Sequence, residues 1–203
     1  MTNRYLDTED DLRQLYDLPS ARVVGKQLAA IDAHCKRFVE LSPFVVVSTT
    51  DTSQCDASPR GGNAGFVRVV NERTLWIPDS PGNNRLDSFV NILKSGRIGL
   101  LFLIPGLDET LRVNGRARLT VDPEVLRVFT TEKRLCKVVI EVYVEEAFLH
   151  CAKALMRSRL WAEESRVDRA VLPSMNRMLA DQTGTSAPVE SQEDMVSRYQ
   201  RDL

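Results

Sequence analysis

The sequence predicts a mainly β protein with flanking helices, of the α+β class. It is built on antiparallel strands that close, or partly close, into a barrel. Three observations predict this. Apolar, β-branched or alternating runs fill the middle of the chain, from FVVVSTT at 44–50 to KVVIEVYVEEAFL at 137–149. Short turn signals connect several of them, which favours hairpins and a barrel over a doubly wound sheet. Helical repeats are confined to the two ends and to one insertion.

The elements follow in order. Asp7 or Thr8 can cap a first short helix, and Pro19-Ser20 breaks it. A second helix then carries Val24, Leu28, Ile31, Phe38 and Val39 and stops at Ser42-Pro43, because a proline disfavours helix in the residue before it. FVVVSTT is the first strand. Residues 51–65, DTSQCDASPRGGNAG, read as a turn-rich connection. FVRVV (66–70) and TLWIP (74–78) flank Asn71-Glu72-Arg73 as a hairpin. In NRLDSFVNIL, Leu86, Phe89, Val90 and Leu93 form one helical stripe. Asn84 is its expected N-cap, Asp87 the partner three residues on, and Ser95-Gly96 its end.

RIGLLFLIPG (97–106) is a strand ended by Pro105-Gly106. In ETLRVNGRARLT (109–120), Leu111, Val113, Gly115, Ala117 and Leu119 face one way. Thr110, Arg112, Asn114, Arg116, Arg118 and Thr120 face the other. Asp122-Pro123 starts a short helix, and 137–149 is the last strand. HCAKALMRSRLW (150–161) and the segment after Pro173 read as helical. The resulting division is a helical leader at 1–42 and a barrel core at 43–149 with an inserted helix at 84–95. C-terminal helices at 150–182 and a polar, mobile tail at 183–203 complete it, with a terminal helix possible in the last dozen residues.

Composition excludes some functions. A net charge of −1 argues against a general nucleic-acid binder, which needs a basic surplus for phosphates. The longest strongly apolar run, IGLLFLI, is too short to span a bilayer. The start is acidic and lacks a signal-peptide pattern, so the expected compartment is the cytoplasm. The four cysteines form no CxxC pair. Each of the two histidines precedes a cysteine, but neighbouring residues diverge too far for one dipeptide to give two metal ligands. No metal site is expected, and the thiols read as free.

No phosphate-binding P-loop, dinucleotide fingerprint, zinc-protease or nucleophile-elbow motif occurs. An anion site is suggested instead by the helix opening on Asn83-Asn84-Arg85. A helix N-terminus offers unsatisfied N–H donors and partial positive charge. Arg85 lies in that first turn, and Arg60 in SPRGG and Arg68 in FVRVV are within possible reach. An ordinary capped surface helix with scattered arginines fits the same letters. His150, Cys151, Lys153, Arg157 and Trp161 cluster after the last strand. They can cover a planar ligand or simply belong to a helix docking on the barrel. The Arg112/Arg116/Arg118 face is either solvated or part of a subunit interface.

Taken in order, DxSPRGGxxGFVRV, TLWIPDSPGNNRLDSFVNIL, GLLFLIPGLDETLRVNGRA and FLHCAKALMRSRLW resemble the pyridoxamine 5′-phosphate oxidase-like proteins. The likeness is greatest to a bacterial subgroup of FMN-dependent enzymes and covers about residues 20–182. It implies a split β-barrel of Greek-key type and a homodimer with FMN between the subunits. It also implies an FMN-dependent oxidoreductase on a small-molecule substrate. By the same resemblance Arg60 and Arg68 meet the flavin phosphate or ribityl chain. Ile77-Pro78 lies along the ring, Asn83-Asn84-Arg85 holds the phosphate, and Thr110 contacts the flavin from the next strand. Lys153, Arg157 and Trp161 join as candidate cofactor contacts. No catalytic acid or base is identified, and His150 is the histidine to test. The chain departs from the oxidase proper in having one basic residue at the helix start, not two. It also lacks a recognisable C-terminal arginine–histidine motif for the vitamin. Some members of the wider family bind deazaflavin or haem, so a non-catalytic flavin or haem binder is the alternative.

Overall fold

The β-branched run at 44–50 forms the strand on which the sheet is assembled. β1 (Phe44–Thr50) is followed by β2 (Cys55–Gly61), β3 (Arg68–Asn71), β4 (Thr74–Pro78), β5 (Arg97–Leu103), β6 (Thr110–Thr120) and β7 (Val139–His150). The computed structural model describes residues 5–80, 82–131, 135–185 and 190–200. All neighbouring strands are antiparallel, in the order β2-β1-β5-β6-β7-β4-β3. The alternating pattern decides which face is dry. Val45 and Val47, Ile98, Leu100 and Phe102, Leu111 and Val113, and Val142 and Val144 all turn into one core.

The β6–β7 ladder carries one irregularity with consequences for the outer face. Asn114 pairs Glu146 while Gly115 pairs Val144, so Glu145 is the extra residue of a bulge. The extra residue reverses the alternation. Val144 and Ala147 are both fully buried, and Glu145 and Glu146 are both outside the core. A Cβ on Gly115 would stand 2.0 Å from the Tyr143 carbonyl oxygen, so the bulge needs glycine there.

Helices cover the ends and one face. α1 (Glu9–Arg13) and α2 (Ala21–Gly25) bury none of their residues. α3 (Ala33–Leu41) buries Cys35, Phe38 and Val39, and Asp32 caps it by accepting from the Cys35 N–H at 2.7 Å. The single helix expected through residues 24–39 is therefore two helices with an extended strap between them. The strap exists because Leu28 exchanges both backbone hydrogen bonds with Ala147, on the β7 edge left free where β4 ends. α4 (Asp87–Ser95) lies over the β1–β2 side of the core. α5 (Pro123–Arg127) follows β6, capped by Asp122. α6 (Lys153–Ser158), α7 (Met175–Thr183) and α8 (Gln192–Gln200) complete the chain, and α8 buries Met195.

Two local expectations need correction. SPRGG is not in a loop but largely within β2, an edge strand pairing only with β1. Pro59 is tolerated because an edge strand has an N–H side that needs no partner. The inserted helix begins at Asp87 and not at Asn84. Asn84 has φ 58° and Leu86 φ 59°, both left-handed, so the chain turns sharply before helical geometry starts.

Candidate functional site

α4 is positioned by polar as well as apolar contacts. Phe89 and Ile92 enter the core, while Leu86, Val90 and Leu93 of the expected stripe are exposed. The buried side of the helix is Ser88, Phe89, Asn91 and Ile92. Asn91 is fully buried; it donates to Thr49 Oγ1 at 3.2 Å and accepts from Gln54 Nε2 at 3.4 Å. Gly96, in the left-handed region, ends the helix. At the other end Leu86 stands at the N-cap and has no polar side chain. No side chain caps the helix, so the first backbone N–H groups remain available.

A polar cluster lies beside that first turn. β2 presents Asp56, Ser58 and Arg60 on its half-buried side, paired in register with Thr49, Val47 and Val45. Ser88, in the first turn of α4 and 3% exposed, donates from Oγ to Asp56 Oδ2 at 2.6 Å. Arg60 Nη2 reaches Ser88 Oγ at 3.5 Å, while Nη1 donates to Ser58 Oγ and to the Pro59 carbonyl at 3.0 Å. Arg85 Nε donates to Asp87 Oδ2 at 2.8 Å, and Asp87 with Asp56 raises the Arg85 pKa. Asn83 Oδ1 accepts from the Arg85 N–H at 3.1 Å, shaping the turn. Two non-glycine residues in left-handed conformation around Arg85 cost on the order of 1–3 kcal/mol each. Strain of this kind concentrates where a side chain must be aimed.

The remaining sequence candidates lie elsewhere. Arg68 is exposed on β3 opposite Trp76, whose indole N–H donates to Glu141 Oε2 at 2.9 Å. Ile77 is fully buried and pairs Ile140, and Pro78 pairs Val139. Thr110 pairs His150 at the far end of β7 from Pro78, about 35 Å of strand away. Lys153 and Arg157 are exposed on α6, and Trp161 donates from Nε1 to the Leu107 carbonyl at 2.8 Å. Register also fixes direction. Arg60 pairs Val45, Val45 pairs Phe102, and Phe102 pairs Leu111, so all four share the core side. Thr110 alternates with Leu111 and projects to the other side. One chain thus brings together Arg60, Asn83, Asn84 and Arg85. It does not bring Arg68, Ile77-Pro78, Thr110, Lys153, Arg157 or Trp161 to that cluster.

The outer face of β6 and β7 also holds a cleft of about 410 Å³, lined by Thr74, Arg116, Arg118, Glu141 and Tyr143 among others. Its charges satisfy one another. Glu145 accepts from Arg97 at 3.1 Å and Arg116 at 3.0 Å, and Glu141 accepts from Arg118 at 2.7 Å. The Trp76 N–H, then Arg118, hold the Glu141 carboxyl below its ordinary range. Among the described residues, no group of three or more His, Cys, Asp and Glu side chains is arranged to hold a metal, and no helix is long and apolar enough to cross a membrane.

The family model described as pyridoxamine 5′-phosphate oxidase matches residues 31–151, more than half of the chain. The chain belongs to this family. A search of curated proteins gives no match. Among solved structures, HupZ of Group A Streptococcus is similar at 18% identity and TM-score 0.50, over 59% of this chain and 99% of that one. General Stress Protein 26 from Bacillus anthracis is similar at 14% and 0.42, over 57% and 93%. An FMN-binding protein from Syntrophomonas wolfei is similar at 12% and 0.42, over 57% and 87%. The HupZ likeness shows the fold, in accord with the family match and with a mainly β chain carrying flanking helices.

Sequence reasoning missed two residues of the cluster, Ser88 and Asp56. Ser88 was legible only with the helix start at Asp87, which the good capping letters of Asn84 concealed. Asp56 needed β2 to be recognised as a strand, since its alternation with Ser58 and Arg60 is what aims it at α4.

Proposed function

We propose that this chain is an FMN-dependent oxidoreductase, cytoplasmic and homodimeric, with the flavin phosphate at the start of α4. The observation that supports it most is the uncapped first turn of α4 beside Arg60, Arg85 and Ser88. The donor set suits a phosphate: backbone N–H groups at the positive end of a nine-residue helix, a buried hydroxyl and two guanidinium groups. Two carboxylates there oppose an anion: Asp56, held by the Ser88 hydroxyl, and Asp87, paired with Arg85. The charges of Arg60 and Arg85 offset them.

Asn83 and Asn84 shape the turn that aims Arg85. Ile77-Pro78, Arg68, Thr110, Lys153, Arg157 and Trp161 are the residues proposed to contact the rest of the cofactor. Arg60 and Thr110 point to opposite sides of the sheet, so a ligand touching both kinds of residue needs a second copy of the chain. That is the support for a homodimer. When bound, FMN supplies a ring that takes a hydride from a donor and passes electrons to an acceptor; the protein binds, orients and shields it.

The test is the visible spectrum of purified protein before and after FMN addition and desalting, followed by assays with reduced nicotinamides. Retained flavin bands with turnover support the enzyme. Retained bands without turnover across donors and acceptors favour a flavin-binding role, an intense Soret band favours haem, and no retained colour removes the FMN reading.

A further inference from the structure

We infer that the first part of the leader, residues 5–25, docks on the C-terminal helices of a second copy of this chain. This segment is folded but covers nothing in its own copy. α1 and α2 bury none of their residues, and from 5 to 25 every residue except Asp11 is exposed. Leu12, Leu15 and Tyr16 have the i, i+3, i+4 spacing of one helical side. The Leu15 N–H donates to the Leu12 carbonyl at 3.1 Å, which carries that side past the end of α1. Leu15 is 65% and Tyr16 64% exposed. Helices shorter than about 12–15 residues are marginal alone and owe their stability to the packing of an apolar side. The capping box of Thr8 and Asp11 satisfies the first N–H groups of α1 but supplies no such packing.

Charge identifies what it meets. Residues 5–18 carry five carboxylates and one arginine, while residues 153–177 carry six cations and three carboxylates. The acidic arm has its electrostatic complement in the same sequence. Glu9 pairs with Arg13 and Arg159 with Glu164, whereas among the described residues the carboxylates of Asp10 and Asp17 and the guanidinium of Arg166 make no ion pair. The basic segment also has an open apolar side. α8 is tied to it by the Asn176–Glu190 and Arg169–Gln192 hydrogen bonds, at 2.8 and 3.1 Å, yet Val171, Leu172, Met175 and Leu179 stay exposed. The arm of the same copy does not cover them, since its own side chains are exposed too. Each copy thus offers one acidic apolar arm and one basic apolar surface. Exchange between two copies satisfies both at once in a closed two-fold pair. The arm is 21 residues long, and a stable interface takes roughly 20–30 residues a side.

The inference rests on the homodimer proposed above and names the surface that holds it. The first test places a photo-crosslinking p-benzoylphenylalanine at Tyr16 in the full chain and mixes nitrogen-15-labelled with unlabelled protein. Mass spectrometry should find crosslinks to residues 153–180 that join a labelled to an unlabelled copy. Crosslinks within one copy only, or to another part of the second copy, would overturn the inference. The second test is sedimentation of the chain carrying Leu15→Ala and Tyr16→Ala together. Both side chains are exposed within the copy, so the fold should persist by circular dichroism. Each truncation at an interface centre costs about tenfold in affinity and acts twice in a two-fold pair, so self-association should weaken about 100-fold or more. High salt should weaken it further by screening the charges. A dimer untouched by the double substitution overturns this inference and leaves the homodimer standing, whereas a full chain that stays monomeric overturns both. Retention of FMN, read by absorbance, tests the cofactor apart from either.

Discussion

The Ser88 hydroxyl donates to the Asp56 carboxylate across 2.6 Å and ties the first turn of α4 to the edge strand β2. This contact explains how an uncapped helix start is held against the sheet. It also places a negative charge where the account puts a phosphate. Asp56→Asn keeps an acceptor for Ser88 and removes that charge. A charge several ångströms away at intermediate dielectric is worth about 1 kcal/mol, so FMN affinity should rise about three- to tenfold. Flavin fluorescence titration checks this, and a fall in affinity with an intact fold would show that the carboxylate helps to build the site.

The bulge at Glu145 rests on a residue with no side chain. Gly115→Ala brings a Cβ to 2.0 Å from the Tyr143 carbonyl and 3.1 Å from the Glu145 nitrogen, and backbone must move. Overpacking in a closed setting costs about 1–3 kcal/mol and sometimes more. Urea unfolding should show a loss of about 3 kcal/mol or greater, and wild-type stability would contradict the register described for β6 and β7.

Glu141 gives a pH signature. Its folded-state pKa is lowered by the Trp76 N–H and by Arg118. A carboxyl depressed in the folded state contributes stability that is fully present above its ordinary value of 4.5 and is lost as pH falls through the lower folded value. Glu141→Gln should therefore be less stable than wild type near neutrality, with the gap narrowing in acid. A gap that does not change with pH would contradict the ionised Glu141 contact.

Thiol chemistry reports the burial of α3. Cys35 is 2% exposed, and burial pushes its pKa up to about 11. Cys136 is also buried, whereas Cys55 and Cys151 are exposed. Disulfide-exchange labelling under native conditions should modify Cys55 and Cys151 quickly and the other two only on unfolding. Fast labelling of Cys35 would place α3 away from the core.

Strands with a clean period were legible: the alternation of 109–120 and the apolar runs at 44–50 and 97–103 follow directly from which face is dry. β2 was not legible, because an edge strand needs only half its hydrogen bonds and so tolerates the Pro59-Arg60-Gly61 letters of a loop. The break before α3 was hidden because Leu28 fits a helical stripe equally well, and only the free edge of β7 draws it into the sheet. At the site, Arg60 and Arg85 could be named from residue type and position. Their grouping around Ser88 depends on the register of β2 and on left-handed turns at Asn84 and Leu86, which non-glycine letters do not advertise.

The central claim is that the start of α4 binds the flavin's phosphate, and comparing FMN with riboflavin tests it most directly. Both flavins should be titrated into wild type, Arg60→Ala and Arg85→Ala by fluorescence quenching. Wild type should prefer FMN, and each variant should lose about 10- to 150-fold in FMN affinity, the effect of one charge-assisted hydrogen bond, with riboflavin unchanged. Equal affinity for the two flavins in wild type, or FMN binding untouched in both variants, would contradict it.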